Sequence, residues 1–368
     1  MVWVLFKVQI SNLKEPPLKD MLTHVFFSLS DSFLGPYIRS ESGIILVPDF
    51  VICYSFTCVI AVKRYPVQGT WQQNAPILLN IMKKFEFPHP KNKNESFVFV
   101  NQNFQSTKST EEKCKILEYS KNFDGWTEDH TLIHEIEIGT EHPIDVASRD
   151  ICIDLLKKYD NLEEKVILEI GCSSGSLINK IKELKNYKYI GSDAIRNSIK
   201  KLSKIYSNIP FLVFDLVKNP FNKSICNSLI MLNVLEHIKD DDKALVEANK
   251  LLEKNGLLIL EVPSGKFLFD QFDKELLHFR RYNMKDLIKK ITNAGFKIEK
   301  KTHLGFIIFP LFIVIKFFNK FFGQEKIVTK QANFSNNIFV KFLFKIEKNF
   351  QNFSFPFGIR CFVCARKK

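Results

Sequence analysis

The chain has 368 residues, 45% of them hydrophobic, and carries a formal net charge of +13. This length and hydrophobic content suit one large domain with extra segments or two domains, and they argue against a largely disordered chain. The 8 cysteines are scattered, and only Cys361 and Cys364 form a CxxC pair. Free thiols in a reducing cytoplasm are therefore expected, and no metal site is predicted.

The N-terminal third carries no motif with recognisable chemistry. Residues 1–125 are predicted to form a region of unclear fold. The apolar run at 43–62 is long enough to cross a membrane, but Pro48 and Asp49 interrupt it. Its β-branched and aromatic content favours two buried strands. The start of the sequence lacks the basic segment of a signal peptide, so a cytoplasmic protein is expected.

From about residue 145, apolar runs alternate with amphipathic stretches, which predicts alternating strands and helices. Asp240 suits the N-cap of one helix, and Gly256 suits the left-handed residue that would end it. The alternation predicts an α/β fold with a Rossmann-like, doubly wound, mainly parallel seven-stranded sheet. The predicted strands cover residues 166–170, 187–192, 211–214, 228–232, 257–262, 296–302 and 359–365.

The first predicted strand ends at a glycine-containing turn, with Gly171 and Gly175 allowing a tight bend and close approach of a ligand. In open α/β sheets, ligands bind beyond the carboxyl ends of the strands. Three successive strands carry Glu169, Asp193 and Asp215 at that end. Asp193 lies 22 residues after Gly171, where a carboxylate can accept hydrogen bonds from ribose hydroxyls.

The acidic residue before the turn points to a cationic cofactor. Glu169, two residues before Gly171, disfavours a pyrophosphate and suits the sulfonium and ammonium groups of S-adenosylmethionine. The chain resembles class I S-adenosylmethionine-dependent methyltransferases from about residue 166 to 296. The resemblance rests on residues 168–175 (LEIGCSSG), 191–193 (GSD), 214–216 (FDL), 233–237 (NVLEH) and 252–260 (LEKNGLLIL).

The resemblance implies S-adenosylmethionine as the cofactor and a role for each matched position. It implies that Glu169, Gly171, Ser173 and Gly175 shape the methionine side of the pocket and that Asn233 lies beside it. It also implies that Asp193 holds the ribose and that Asp215 with Leu216 holds the adenine. The chain departs from the family pattern at Ser173, where glycine is usual, and at Asn227, where aspartate is usual.

Residues 262–273 and the HFRRY stretch at 278–282 resemble one sub-branch of these methyltransferases. The members of that sub-branch are associated with envelope or glycan gene neighbourhoods. His278 and His237 are the candidate catalytic bases, and His278 is preferred because it follows strand five. Ordering of the loop is the alternative role for His237. Arg280, Arg281 and Tyr282 are predicted to bind a phosphate or carboxylate of the substrate. Alternatively this stretch is a structural latch, with an arginine paired to Asp270 or Asp273.

The predicted methyltransferase domain, residues 126–368, contains a long insertion at about 304–358, between strands six and seven. Residues 306–357 hold 15 of the 36 phenylalanines, and residues 316–368 hold 11 Lys/Arg against 2 Asp/Glu. The insertion is expected either to cover the active site or to contact the inner face of a membrane peripherally. A solvated lysine-rich surface is the alternative.

The sequence therefore predicts O- or C-methylation of a small-molecule, glycan-precursor or lipid-linked substrate. A nucleic-acid methyltransferase is a disfavoured alternative, because no Asn/Asp-Pro-Pro-Tyr/Phe element follows strand four. The other alternative is a non-catalytic binding module with the same fold.

Overall fold

The computed structural model divides the chain into two units, residues 1–79 and 80–368. In the first unit it describes the backbone of three antiparallel strands, β1 (Ser42–Val47), β2 (Phe50–Ser55) and β3 (Cys58–Lys63), where the sequence predicts two. In the second unit it describes residues 86–368 except 93, 110, 122, 124–126, 134–141, 161–164, 185–186, 323–337 and 351–352, and except the side chains of 318–322.

The second unit begins with a small antiparallel sheet of four strands, and three phenylalanines tie that sheet to the main core. Phe87 and Phe104 meet edge to face, with ring centroids 5.2 Å apart, and Phe97 is buried beside them. The small sheet thus belongs to the unit of residues 80–368, whereas the sequence predicts a division at residue 125. The strands are β4 (Glu86–Pro88), β5 (Ser96–Val100), β6 (Asn103–Ser106) and β7 (Lys113–Cys114).

The main sheet has strands at all seven predicted positions and an eighth short strand at its edge. The added strand, β8 (Leu117–Glu118), pairs in parallel with β11. The other strands are β9 (Lys165–Ile170), β10 (Tyr187–Asp193), β11 (Phe211–Val213), β12 (Cys226–Leu232), β13 (Leu252–Pro263), β14 (Phe296–Leu304) and β15 (Arg360–Lys367). The spatial order is β14-β15-β13-β12-β9-β10-β11-β8, and β15 runs antiparallel to both of its neighbours.

Helices cover both faces of this sheet, and alternate side chains of each central strand enter two separate cores. On β9, Val166 and Leu168 join one core while Ile167 joins the other. This two-sided burial explains the unbroken apolar runs of the central strands. The helices are α1 (Glu128–Ile133), α2 (Pro143–Tyr159), α3 (Ile178–Lys182), α4 (Arg196–Ile205), α5 (Asp241–Leu251), α6 (Gln271–Glu275), α7 (Met284–Asn293), α8 (Phe309–Phe322) and α9 (Ile338–Lys348).

The ends of α5 test two of the local predictions. The Asp240 carboxylate accepts a hydrogen bond from the Lys243 amide at 3.0 Å, as expected of an N-cap. The prediction for Gly256 is wrong, because the left-handed residue is Asn255, with φ of 61°, and Gly256 lies within β13. A Cβ on Gly256 would meet two backbone carbonyl oxygens at 2.8 and 2.9 Å, so close packing explains the glycine.

The insertion between β14 and β15 contains α8 and α9, which pack on α2 and on the end of β14. Their contact is a small apolar core that includes Ile144, Leu304, Ile308, Val340 and Phe344. The buried Glu347 carboxylate of α9 accepts the backbone N–H groups of Gly305 at 2.7 Å and Ile307 at 3.2 Å, which fixes α9 to the turn before α8. Among the described residues, no helix has the length and apolar content needed to cross a membrane.

Candidate cofactor and acceptor site

A cavity of about 550 Å³ lies at the carboxyl ends of β9, β10, β12 and β13, under α8 and α9. Nine of the predicted site residues line this cavity. They belong to the glycine turn, the end of β10 and the segments that follow β11, β12 and β13. These are Glu169, Gly171, Ser173, Asp193, Leu216, Asn233, His237, His278 and Arg281. Gly175, Asp215, Arg280 and Tyr282 do not line it.

The glycine turn forms one wall of the cavity and has little room for larger residues. Gly171 has φ of 76°, and a Cβ there would lie 2.5 Å from Val234. Gly175 has φ of 77°, and a Cβ there would meet Leu202, so this glycine serves the packing of the turn. Ser173 also has positive φ, 43°, which explains why glycine is usual at this position in the resembling family.

Asp193 holds the turn in place and faces the cavity. One carboxylate oxygen accepts the Ser173 amide at 2.9 Å, and the other accepts the Ile195 amide at 2.9 Å. Each oxygen has a second lone pair, so the carboxylate can also accept the hydroxyls of a ribose. Burial raises the pKa of Asp193, while its backbone hydrogen bonds act in the opposite direction.

Glu169 is the second buried carboxylate on this wall. Tyr189 donates its hydroxyl hydrogen to Glu169 Oε2, which orients the carboxylate from the neighbouring strand. Burial raises the pKa of Glu169 to about 7, although the Tyr189 hydrogen bond lowers it. At neutral pH a cationic ligand can therefore draw Glu169 into its ionised form.

The adenine side differs from the prediction at Asp215. Its carboxylate accepts the Val217 amide at 3.1 Å and caps a short 3₁₀ turn, and it does not line the cavity. Phe214, Leu216 and Ile195 form an apolar wall there instead. A flat apolar ring such as adenine fits this wall. The two carboxylates, the tight glycine turn and the apolar wall together suit a cationic nucleoside such as S-adenosylmethionine.

The opposite wall contains a network built around the buried Asp273. His278 Nδ1 lies 2.8 Å from Asp273 Oδ1, and Arg281 Nε lies 2.8 Å from both carboxylate oxygens. Lys316 of α8 reaches the same network, 2.7 Å from Asp270 and 3.6 Å from Asp273. His278 and Arg281, with Lys316, lower the pKa of Asp273 well below its usual range despite its burial. Burial lowers the pKa of His278, which favours the neutral ring with its proton on Nδ1.

Arg280 and Tyr282 contact α5 rather than the cavity, so the structure does not place them for substrate binding. Arg280 pairs with Asp241 at 2.7 Å, and the buried Tyr282 donates its hydroxyl hydrogen to Asp241 at 2.9 Å. Together with the Arg281–Asp273 pair, these contacts fit the alternative in which the HFRRY stretch is a structural latch.

The loop after β12 brings three polar side chains to the space between the two walls. Asn233 Nδ2 donates to Glu261 Oε2 at 3.3 Å. Glu236 is 1% exposed and lines the cavity. The rings of His237 and His278 meet edge to face, with centroids 4.7 Å apart.

Several charged residues of the cavity wall were not predicted from the sequence. Arg149 of α2, Arg360 of β15 and Lys316 of α8 all line the cavity. Arg360 pairs with Asp145 at 2.6 Å and with Glu261 at 3.3 Å. A basic residue in an otherwise apolar segment was the available signal for Lys316, which stands in the apolar run that forms α8.

Comparison with known proteins identifies the part of the chain that carries this cavity. Residues 146–301 match the family model described as "Methyltransferase domain". A solved TehB-like SAM-dependent methyltransferase from Corynebacterium glutamicum is similar to this chain, with 12% identity, coverage of 60% of this chain and 87% of that one, and a TM-score of 0.38.

Two curated relatives are similar to part of this chain. An uncharacterised protein of Methanocaldococcus jannaschii is 30% identical over 155 residues, 42% of this chain and 64% of its own length. A protein of Campylobacter fetus named tRNA U34 carboxymethyltransferase is 28% identical over 145 residues, 38% of this chain and 48% of its own length. The matches thus span less than two thirds of either relative.

The family match covers the cofactor wall of the cavity and the loops after β12 and β13, whereas α8, α9 and β15 lie outside it. Residues 146–301 are therefore identified as a methyltransferase domain, and S-adenosylmethionine is the cofactor that this match implies.

Proposed function

We propose that the whole protein is a methyltransferase that methylates an oxygen or carbon atom of a lipid-linked or otherwise amphipathic acceptor, such as a glycan precursor. The observation that carries this proposal is the composition of the cavity. Glu169 and Asp193 occupy the cofactor wall, whereas α8 and α9 place apolar side chains over the acceptor side.

Bound S-adenosylmethionine supplies a methyl group on a cationic sulfonium, and the protein has to align and shield it. Asp193 would hold the ribose, and Glu169 would neutralise part of the ligand's positive charge. The apolar side chains of Phe312 and Phe344 would exclude water from the acceptor. His278, with Nδ1 committed to Asp273, would turn Nε2 to the acceptor and can receive its proton.

The acceptor side also carries positive charge. Arg281 and Lys316 line the cavity beside the apolar residues of α8. Both already pair with Asp273, so they would bind a phosphate or carboxylate of the acceptor while remaining part of the network. A substrate with an acidic head and an apolar tail matches this combination.

The outer faces of the same two helices support contact with a membrane. Leu311 and Val314 of α8 and Phe342 of α9 are 47%, 50% and 55% exposed. Lys341 and Lys345 are exposed beside Phe342. Exposed apolar groups with lysines suit an anionic lipid surface, so we propose a cytoplasmic enzyme in peripheral contact with the inner face of a membrane.

A tRNA acceptor is the second candidate, because the similar Campylobacter fetus protein is named tRNA U34 carboxymethyltransferase. The net charge of +13 is compatible with either partner. The apolar cover of the cavity favours the amphipathic acceptor, since a nucleotide entering it would need more polar contacts.

The test is methyl transfer from labelled S-adenosylmethionine into separated lipid, glycan-precursor and tRNA fractions, with the purified full-length chain. Label in the lipid or glycan-precursor fraction is expected. Label in tRNA alone would support the second candidate. Tight binding of S-adenosylmethionine in calorimetry without transfer to any fraction would instead indicate a binding module.

A further inference from the structure

Three side chains with metal-ligating atoms converge between the cofactor wall and the acceptor wall. One ligand atom from each of Glu236, His237 and His278 lies within 4.8 Å of the others. All three side chains line the cavity, so an ion held there would face the acceptor. Glu236 has no part in the proposed methyl transfer.

Glu236 is the unusual member of this set. The residue is 1% exposed, and its buried Oε2 atom has no hydrogen-bond partner among the residues that the structure describes. A buried carboxylate oxygen is costly unless a cation or a donor satisfies it. Glu236 thus offers a buried carboxylate oxygen in the same cluster as the two imidazoles.

His278 is already oriented as metal-bound histidines usually are. Its Nδ1 lies 2.8 Å from the Asp273 carboxylate, which leaves Nε2 as the ligating atom. A carboxylate on the far nitrogen of a histidine fixes the tautomer and makes the ring a better ligand. Arg281 in turn fixes Asp273 through both carboxylate oxygens.

Backbone contacts make the two ligand-bearing loops a single unit. The Phe279 amide donates to the Glu236 carbonyl oxygen at 2.8 Å. The Tyr282 hydroxyl reaches the Leu235 carbonyl oxygen at 3.4 Å as well as Asp241. The HFRRY stretch therefore holds His278 against the Glu236–His237 turn. This positioning would be the structural role of the stretch.

We propose that Glu236, His237 and His278 form a binding site for one divalent first-row transition metal ion, such as Zn²⁺. Two imidazoles and one carboxylate suit such an ion, whereas Mg²⁺ and Ca²⁺ prefer oxygen ligands. Three protein ligands leave at least one coordination position for another molecule, as in catalytic rather than structural sites. This departs from the expectation, drawn from the sequence alone, that the chain has no metal site.

The role of the ion rests on the proposed function. An acceptor hydroxyl bound to the open position would become more acidic and release its proton to water. The oxygen lone pair would then form the new C–O bond, while the S–C bond breaks and its electron pair remains on sulfur. With His278 as a ligand, the ion would take over the activation of the acceptor from the free imidazole.

The test is titration of the chelator-stripped full-length protein with Co²⁺, followed by visible absorption and by displacement with Zn²⁺. One Co²⁺ per chain is expected, with intense bands that Zn²⁺ removes. Glu236→Gln and His278→Ala should each weaken Co²⁺ binding by at least about tenfold. Circular dichroism checks that each variant is folded. The number of Co²⁺ ions bound per wild-type chain tests the proposal even if a variant fails to fold.

His89→Ala is the matched control. His89 and Glu112 form another His/Glu cluster, on the small sheet, but there His89 Nδ1 accepts two backbone amides and Nε2 contacts Glu112 at 3.1 Å. This variant should bind Co²⁺ like the wild type. Wild-type protein without one Co²⁺ per chain, or folded Glu236 and His278 variants with unchanged affinity, would overturn the proposal.

Calorimetry with S-adenosylmethionine on the metal-free protein separates this proposal from the proposed function. Cofactor binding without Co²⁺ uptake overturns the metal site alone. Co²⁺ uptake without cofactor binding supports the metal site and counts against methyl transfer.

Discussion

Asp273 holds His278 by a 2.8 Å contact to Nδ1 while the same carboxylate binds Arg281 through both oxygens. The carboxylate is fully buried, so removing its charge leaves Arg281 without its counter-ion in the protein interior. Breaking a buried ion pair from one side costs about 3–5 kcal/mol. We expect Asp273→Asn to lower the free energy of unfolding by about 3 kcal/mol in urea denaturation.

The exposed pair between Lys266 and Asp286 provides the comparison for Asp273→Asn, because it also joins an aspartate to a basic side chain but lies at the surface. Asp286→Asn should leave the urea midpoint unchanged. Equal effects of the two substitutions would show that the buried network contributes no special stability.

Asp193 and Asp215 both follow strands of the sheet, but only Asp193 lines the cavity. Asp193→Asn replaces one hydrogen-bond acceptor by a donor and should weaken S-adenosylmethionine binding at least about tenfold in calorimetry. Asp215→Asn keeps an oxygen for the Val217 amide, so cofactor affinity should remain near that of the wild type. A larger loss in Asp215→Asn would reverse the assignment and return the adenine contact to that carboxylate.

Cofactor affinity should depend on pH through Glu169, whose pKa burial raises to about 7. The ionised form attracts the cationic ligand, so affinity should rise several-fold, about fivefold to tenfold, between pH 6 and 8. The stability of the ligand-free protein should depend on pH in the opposite direction. Its folded state holds the Glu169 proton more tightly than the unfolded chain, so this residue's contribution to the free energy of unfolding falls as pH rises from the ordinary glutamate pKa of 4.5 to about 7.

Two variants isolate the Glu169 effect in calorimetry at several pH values. Glu169→Gln should remove this pH dependence. Tyr189→Phe deletes the hydrogen bond that lowers the Glu169 pKa, so the rise in affinity should move to higher pH. An unchanged profile in both variants would exclude Glu169 as its source.

Glu347 is the polar anchor of α9, since it accepts the amides of Gly305 and Ile307. Glu347→Ala leaves these donors without their acceptor and should lower the free energy of unfolding by about 1–3 kcal/mol. Lys345→Ala, on the exposed side of the same helix, should change it little. Thermal unfolding of the two variants measures the difference, and similar midpoints would argue against an anchoring role.

Membrane contact can be tested by flotation with vesicles that contain anionic lipid. The wild type should float at low salt and be released as salt rises, because screening weakens the attraction of its lysines. Phe342→Glu should reduce flotation strongly. Ile205→Glu, at an apolar residue of α4 that is 68% exposed, should have little effect. Absence of flotation at low salt would refute the membrane contact.

Much of the sheet and the cofactor wall could be predicted because both depend on local pattern. The apolar runs of β9 to β13 mark two-sided burial, and glycines at positive φ mark the turn after β9. Asp193 follows from its place at the end of β10, where a side chain reaches the ligand edge of the sheet.

The sequence was less informative where side-chain direction or distant chain segments decide the outcome. Asp215 lies two residues beyond the end of β11, and its carboxylate accepts the amide of Val217 instead of lining the cavity. Tyr282 is adjacent to a cavity residue but faces α5. Arg360 reaches the cavity only because β15 enters the sheet beside β13, a pairing that spacing along the chain does not reveal.

The two ends of the insertion lie side by side, since Leu304 of β14 is paired with Arg360 of β15. The chain thus leaves the sheet and returns to it at one point, and the cost of closing such a loop grows only slowly with its length. The segment that covers the acceptor could therefore lengthen, shorten or be exchanged during evolution while the strand register stays intact. Under the proposed function, the acceptor side of the cavity would then be able to change while the cofactor wall stays the same.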